Sequence, residues 1–157
     1  MPYVNLYSGT VEMIQYNIET SKYKDYVPEG PYRIGLVLNP NYADLRREIM
    51  VFNREIDWVD MWTFEDAKDR LHCGWLFVCL FVDHQIKGWV WLNTKTNTLT
   101  NLYVNENLRN KGYATQLVKK LTKESYNIGV GNIKSYVDDW NHASHSVFDK
   151  CNWIKQQ

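Results

Sequence analysis

Six consecutive residues, Arg109-Asn110-Lys111-Gly112-Tyr113-Ala114, set two cations and a glycine where a strand-like run, Thr98 to Val104, gives way to a helical pattern. The first N–H groups of a helix have no partner within it, and the helix start carries a partial positive charge. Gly112 has no side chain, so an anion can come close to the backbone there. The combination is a cradle for a pyrophosphate. From Arg109 to Lys123 the chain carries Arg109, Lys111, Lys119, Lys120 and Lys123 and no acid. That sign suits a polyphosphate. The plainer reading is a solvent-facing helix side, and the three later lysines are left to it.

Two other constellations could carry chemistry. His142 and His145 stand three apart, near Asp138, Asp139 and Asp149. Helical spacing puts both imidazoles on one side, but a metal centre needs a further supporting shell, and no metal is expected. The stretch Glu55-Ile-Asp57-Trp58-Val-Asp60-Met-Trp62-Thr-Phe-Glu65-Asp66 holds five acids and no base. Trp58 and Trp62 interleaved with carboxylates could cage a cation. The plainer reading is a solvated acidic loop with its tryptophans in the core.

The elements that must position these residues follow from periodicity and turn signals. Tyr3 to Tyr7 and Thr10 to Ile18 read as a hairpin turning at Ser8-Gly9, and residues 19 to 31 as a loop ending in Pro28-Glu-Gly-Pro31. Tyr32 to Leu38 is a strand. Asn39-Pro40 reads as a helix start, with Leu45, Ile49, Phe52 and Ile56 on one face. Thr63 and Asp66 form a capping box for a second helix striped by Phe64, Ala67 and Leu71, with Gly74 at its end. Trp75 to Val82 is continuously apolar, as a strand covered on both faces requires. Ile86 to Leu92 and Thr98 to Val104 complete an antiparallel meander. A helix follows Gly112, with Ala114, Leu117, Val118 and Leu121 inward. Gly129 to Gly131 breaks the chain before strand Ile133 to Val137, helix Asn141 to Cys151 and a short strand at Trp153.

A length of 157 residues with 45% apolar content fits one domain, residues 1–157, with residues 1–31 as an N-terminal extension. A formal net charge of +0 argues against a general nucleic-acid binder. No apolar run reaches the ~18 residues of a membrane span, so no membrane partner is expected. The start, Met-Pro-Tyr-Val-Asn, lacks the basic stretch and apolar core of a signal peptide. Cys73, Cys79 and Cys151 are odd in number and show no Cys-x-x-Cys spacing, which favours reduced thiols and a cytoplasmic location.

The spacing Arg109-x-x-Gly112-x-Ala114 resembles the acyl-CoA loop of the GNAT superfamily of N-acetyltransferases. Leu102-Tyr103-Val104 precedes it at the family's usual distance. Asn141-His-Ala-Ser-His-Ser-Val-Phe148-Asp-Lys-Cys-Asn-Trp153 is similar to that family's second signature, and the resemblance covers roughly Thr63 to Trp153. It implies an α/β fold: a mixed, mainly antiparallel central sheet flanked by about four helices, here with an extra N-terminal hairpin and a shortened C-terminus. The hairpin would fill the last sheet edge, within the chain or across a homodimer. The resemblance implies direct transfer of the acetyl group of acetyl-CoA to a primary amine. The acceptor would be a small molecule or a protein amine, and the acidic stretch suggests a cationic one. The backbone of Leu102, Tyr103 and Val104 would pair with the pantetheine arm like an added strand. The loop Arg109, Asn110, Lys111, Gly112, Tyr113, Ala114 and Thr115 would hold the pyrophosphate. Asn141 and Phe148 would meet the pantetheine.

Departures from the pattern leave the catalytic groups open. Phe148 stands where relatives often carry a tyrosine that protonates the leaving thiolate. His145, one turn earlier, is the substitute considered, with Asn141 as the second catalytic candidate and helix N-cap as its structural role. Thr100 and Asn101 stand where relatives often place an acid, so Asp138 or a water chain would serve as base. A non-catalytic CoA-binding or interaction module on the same fold is the alternative.

Overall fold

A computed structural model describes residues 3–5, 9–55 and 62–156, with side chains described from residue 12 onward. The strands are β1 (Tyr3–Asn5), β2 (Gly9–Val11), β3 (Met13–Glu19), β4 (Arg33–Leu36), β5 (Leu76–Val82), β6 (Gln85–Asn93), β7 (Thr98–Val104), β8 (Asn132–Asp138) and β9 (Ile154–Lys155). The helices are α1 (Ala43–Glu55), α2 (Phe64–His72), α3 (Tyr113–Asn127) and α4 (His142–Lys150). Seven strands form one sheet in the order β4-β5-β6-β7-β8-β3-β9, and β1-β2 pair separately. The mixed, mainly antiparallel sheet with four helices is the fold class expected.

The β5-β6-β7 meander stands as read. Asp83 and His84, both at positive φ, make the tight turn between β5 and β6. β5 is buried on both faces, as its unbroken apolar run requires. Leu117, Val118 and Leu121 of α3 pack with β3, β5, β6 and β8 on one face of the sheet. The other face is aromatic. Phe52, Trp62, Phe77, Trp89, Trp91 and Tyr103 are buried there beneath α1 and α2, which accounts for much of the aromatic content. Each such ring removed from water contributes roughly 1.5–3 kcal/mol.

The N-terminal reading needs correction. The hairpin pairs Tyr3–Asn5 with Gly9–Val11, but the second strand does not run on to Ile18 as part of it. The chain leaves that ladder at Glu12, and β3 inserts into the main sheet, antiparallel to β8 along its length and to β9 at Tyr16 and Asn17. Met13 to Ile18, read as the end of the hairpin's second strand, thus lie beside β8 within the chain, and β9 forms the outer edge. Residues 6–8, including Ser8, lie outside the described residues. Part of the expected loop is a helical turn, Thr20–Tyr23.

Two smaller differences have local causes. Helix α1 starts at Ala43, not at Asn39-Pro40. The Asn39 side chain accepts from the N–H of Asn41 (3.3 Å), an Asx turn that competes with capping. Lys119, Lys120 and Lys123 do not simply face solvent. Lys119 lies over the rings of Tyr23 and Tyr26, Lys120 pairs with Glu124 (3.0 Å), and Lys123 donates to the Tyr26 carbonyl (2.8 Å). Lys119 and Lys123 thereby fasten the Tyr23–Tyr26 segment onto α3, whereas the Lys120 pair lies within the helix. The Thr63–Asp66 capping box is present in full.

Candidate active site

Strand β7 has a complete partner on one side only. It pairs with β6 from Thr98 to Val104, but with β8 at a single rung, Thr98↔Lys134, in parallel. Past that rung the two strands part. On β7, Thr100 and Tyr103 oppose Trp91 and Trp89 of β6, so β7 carries one surplus residue. Asn101 takes the left-handed conformation there (φ 55°), and its Oδ1 accepts from Arg70 Nη1 at 2.8 Å. The result is a β-bulge that re-aims Leu102, a device found beside active sites.

After Val104 the chain is held by a buried carboxylate. Glu48 of α1, 2% exposed, accepts from Lys87 Nζ (2.8 Å) and from Asn105 Nδ2 (3.0 Å). Lys87 is itself the surplus residue of a bulge in β6, which turns it under α1. A helical turn, Glu106–Leu108, then delivers Arg109. The Arg109 Nε donates to the Val104 carbonyl (2.8 Å), and its Nη2 pairs with Glu55. Arg109 thereby straps the loop down with its own guanidinium. Asn110 (φ 60°) and Gly112 (φ 86°) turn the chain into α3. Gly112 is the N-cap and offers no side-chain cap, so the N–H groups of the first turn stay open to a ligand.

A cavity of about 300 Å³ opens at this helix start. Its walls include Leu102, Tyr103, Val104, Arg109, Asn110, Gly112, Ala114 and Thr115, eight of the residues expected to hold the cofactor. Lys111 and Tyr113 are not in the lining. Lys111 reaches the Asn107 carbonyl (3.4 Å), and the Tyr113 ring joins the core beside Tyr32. The opposite wall is α4, with Ala143, Ser144, Val147 and Lys150. Arg109 and Lys150 are the charged residues of the lining, and both are positive. Open N–H groups, a glycine with free space where a Cβ would stand, and the Lys150 ammonium fit a pyrophosphate, with Arg109 held by Glu55 behind the loop.

A second cavity, about 440 Å³, passes between β7 and β8. It meets the first at Leu102 and Ser144 and extends to Phe52 of α1 on the opposite face of the sheet. Asn141 and Phe148 line this second cavity, not the first. Asn141 is also the N-cap of α4, its Oδ1 accepting from the Ser144 N–H (3.2 Å). Phe148, 2% exposed, stacks on Tyr16 and meets Trp153 edge-on. Among the described lining residues, Asp138 is the one carboxylate.

His145 lines neither cavity. Its Nε2 lies 3.0 Å from the Asp138 carbonyl, which can only accept, so Nε2 carries the proton. Nδ1 then accepts from the Tyr16 hydroxyl at 2.8 Å. Both nitrogens of His145 are occupied in bracing β3 against α4. Tyr16, 1% exposed, was hidden by the hairpin reading; burial, with Asp149 nearby, raises its pKa and keeps the phenol neutral. Tyr103 is likewise held neutral by burial, reinforced by Glu55 and Glu48.

The acidic stretch is largely committed within the chain. Glu55 holds Arg109, Glu65 faces Arg46 and Lys68 at 3.9 and 3.3 Å, and Asp66 caps α2. Asp57, Trp58 and Asp60 lie outside the described residues. Trp62 belongs to a cage, but the cation inside is the protein's own. Arg70 lies 5.2, 4.6 and 5.3 Å from the rings of Trp62, Trp75 and Trp91. Arg70, on the outer turn of a short helix, carried no sequence signal for this role.

No curated protein matches the chain in sequence. Solved structures match its fold. A Drosophila protein of 10% identity gives a TM-score of 0.72, covering 93% of this chain and 49% of its own. The chain thus spans about half of that protein's length. A GCN5-related N-acetyltransferase from Sphaerobacter thermophilus gives 0.62 at 15% identity, covering 93% of this chain and 49% of its own. An aminoglycoside acetyltransferase from an uncultured soil metagenomic sample, solved with trehalose, gives 0.62 at 11% identity, covering 77% of this chain and 87% of its own. At such identities the likeness is one of fold. In sequence, residues 39–153 match the acetyltransferase (GNAT) family, a span that holds the bulged strand, the glycine loop and α4, and the chain belongs to that family.

Proposed function

We propose that the protein, as one unit over residues 1–157, transfers the acetyl group of acetyl-CoA directly to a primary amine. The observation that carries this reading is the continuity of the two cavities. A phosphate-suited cradle at the start of α3 leads, past Leu102 and Ser144, into a gap that crosses the sheet. A pantetheine arm laid along the open edge of β7 brings its thioester into that gap. The acceptor then enters from the α1 side. Holding both reactants in one channel supplies much of the rate enhancement.

Acetyl-CoA supplies an activated carbonyl. A backbone N–H of the bulged segment Leu102–Val104 polarises its oxygen. The acceptor nitrogen forms the C–N bond as the C–S bond breaks. Asp138, 7% exposed in the wall of the gap, takes the ammonium proton, and the sulfur departs as thiolate and is protonated by solvent. Neither Phe148 nor His145 supplies that proton, since one has none and the other is committed to Tyr16 and Asp138. Three unpaired thiols are in keeping with a cytoplasmic setting.

The same two residues favour a second reading, a CoA-binding module that does no chemistry. Calorimetry with acetyl-CoA and thiol release with an amine panel separate the two. The enzyme reading expects binding, thiol release, and an Asp138→Asn variant with kcat lowered roughly 10²-fold at unchanged acetyl-CoA affinity. Binding without thiol release leaves the module, and no binding at millimolar ligand removes both.

A further inference from the structure

Beside the gap, on the face covered by α1 and α2, lies an open basin of about 330 Å³. It shares Thr100, Asn101 and Tyr136 with the through-sheet cavity, so whatever occupies it touches the reaction site. Its charged lining residues are Arg70 and Lys134, and no carboxylate lines it among the described residues. The chain as a whole is neutral, so the pairing of these two cations is a local arrangement and not a reflection of net charge.

Arg70 is pre-set as an anion receptor. Three indole rings and Asn101 hold its guanidinium in place. One of its five N–H donors reaches Asn101, a neutral partner, and no ion pair to Arg70 is found among the described residues. Burial lowers its pKa, and the Asp66 carboxylate one turn away, already bonded to the Thr63 N–H, opposes that shift without forming an ion pair. A partly desolvated guanidinium so placed gains from an arriving carboxylate or phosphate, which it binds bidentately. Lys134 stands at the Thr98 rung, its ammonium 5.9 Å from the Tyr136 ring, with no ion pair among the described residues. The hydroxyl of Thr100 adds a donor of the right kind, while that of Thr98 already donates to the Thr96 carbonyl (3.3 Å).

We infer that this basin is the acceptor's anion subsite, so that the acceptor is an amine that also carries a carboxylate or a phosphate. The inference rests on the acetyl-transfer reading above and narrows its substrate class. It replaces the cationic acceptor suggested by the acidic stretch. The strand supplies a ruler: two to four residues of β7 separate the Thr98–Thr100 level from Leu102, roughly 7–13 Å at strand rise. An acceptor of that reach has its amine at the thioester while its anion meets Arg70 and Lys134.

The test is acetyl transfer to matched acceptors: 6-aminohexanoate against hexylamine, 5-aminopentyl phosphate against 5-aminopentanol, and cadaverine as the dication. The expected result is a kcat/KM at least about tenfold higher for the anionic member of one pair, and that pair identifies carboxylate or phosphate as the group recognised. In Lys134→Gln the advantage should fall to about its square root or less, with KM for acetyl-CoA and Tm unchanged. Lys134→Glu should invert it in favour of cadaverine. Equal rates within both pairs, a wild-type preference for cadaverine, or an advantage that survives both variants overturns the subsite. So does acetyl-CoA binding with no thiol release from any of the acceptors. Failure to bind acetyl-CoA overturns the parent reading instead.

Discussion

Gly112 concentrates the binding argument in one residue. At φ 86° it sits where an L side chain is strained by roughly 1–2 kcal/mol, and an added Cβ would meet no protein atom within 4 Å. On the proposed function, that space receives the phosphate. Gly129, at φ 87° and equally open, lies at the far end of α3 and makes a strain-matched control. Gly112→Ala and Gly129→Ala should each lose about 1–2 kcal/mol in urea denaturation. Only Gly112→Ala should also weaken acetyl-CoA binding, by about tenfold or more in calorimetry. Equal affinities in the two variants would mean that the loop does not hold the diphosphate. Arg109 teaches a different lesson about single residues. Its type suggested a phosphate contact, whereas its guanidinium is spent on Glu55 and the Val104 carbonyl. It shapes the cradle from behind, and the second cation of the lining, Lys150, comes from α4.

At the scale of elements, the close approach of β6 to β7 sets the position of the open β7 edge, along which the proposed function lays the pantetheine arm. A Cβ on Gly88 would stand 2.9 Å from the Tyr103 carbonyl oxygen, a backbone atom with no rotamer to escape into. Gly88→Ala should therefore cost about 1–3 kcal/mol, the usual range for overpacking, read as a lowered urea midpoint. Because the displaced strand carries Leu102, thiol release should fall more than stability alone explains. What could be read from sequence here was what is local. The apolar runs of β5, β6 and β7, the capping box at Thr63, and the cations and glycine before α3 are written within windows of a few residues. What escaped depends on partners far along the chain. Nothing near Glu12 says that β3 leaves its hairpin to pair with β8, some 120 positions on. That pairing buries Tyr16 and lets it occupy His145. The bulge at Asn101 is likewise decided by its register against Trp89 and Trp91, and the place of Arg70 by three indoles from separate elements.

The whole molecule answers to alkali through its buried thiols. Burial pushes Cys151 from an ordinary value of 9.0 up to about 12, with Lys119 opposing, and Cys79 is raised by burial and by Asp44. Above pH 9 the unfolded chain loses these protons while the folded chain keeps them. The stability they contribute is therefore intact below pH 9 and is lost as pH climbs toward 12, by up to about 1.4 kcal/mol per unit for each thiol. Urea midpoints measured from pH 8 to 10.5 should fall, and Cys151→Ala should flatten that fall by about one thiol's share. An unchanged slope in the variant would assign the alkaline loss to other groups.

Arginine caged by indoles has an optical consequence. Trp62, Trp75 and Trp91 emit beside a fixed cation whose field an anion would partly cancel. The protein's own fluorescence should then shift in wavelength or intensity as the basin fills, a label-free gauge of acceptor arrival that is silent to the nucleotide end of the other substrate.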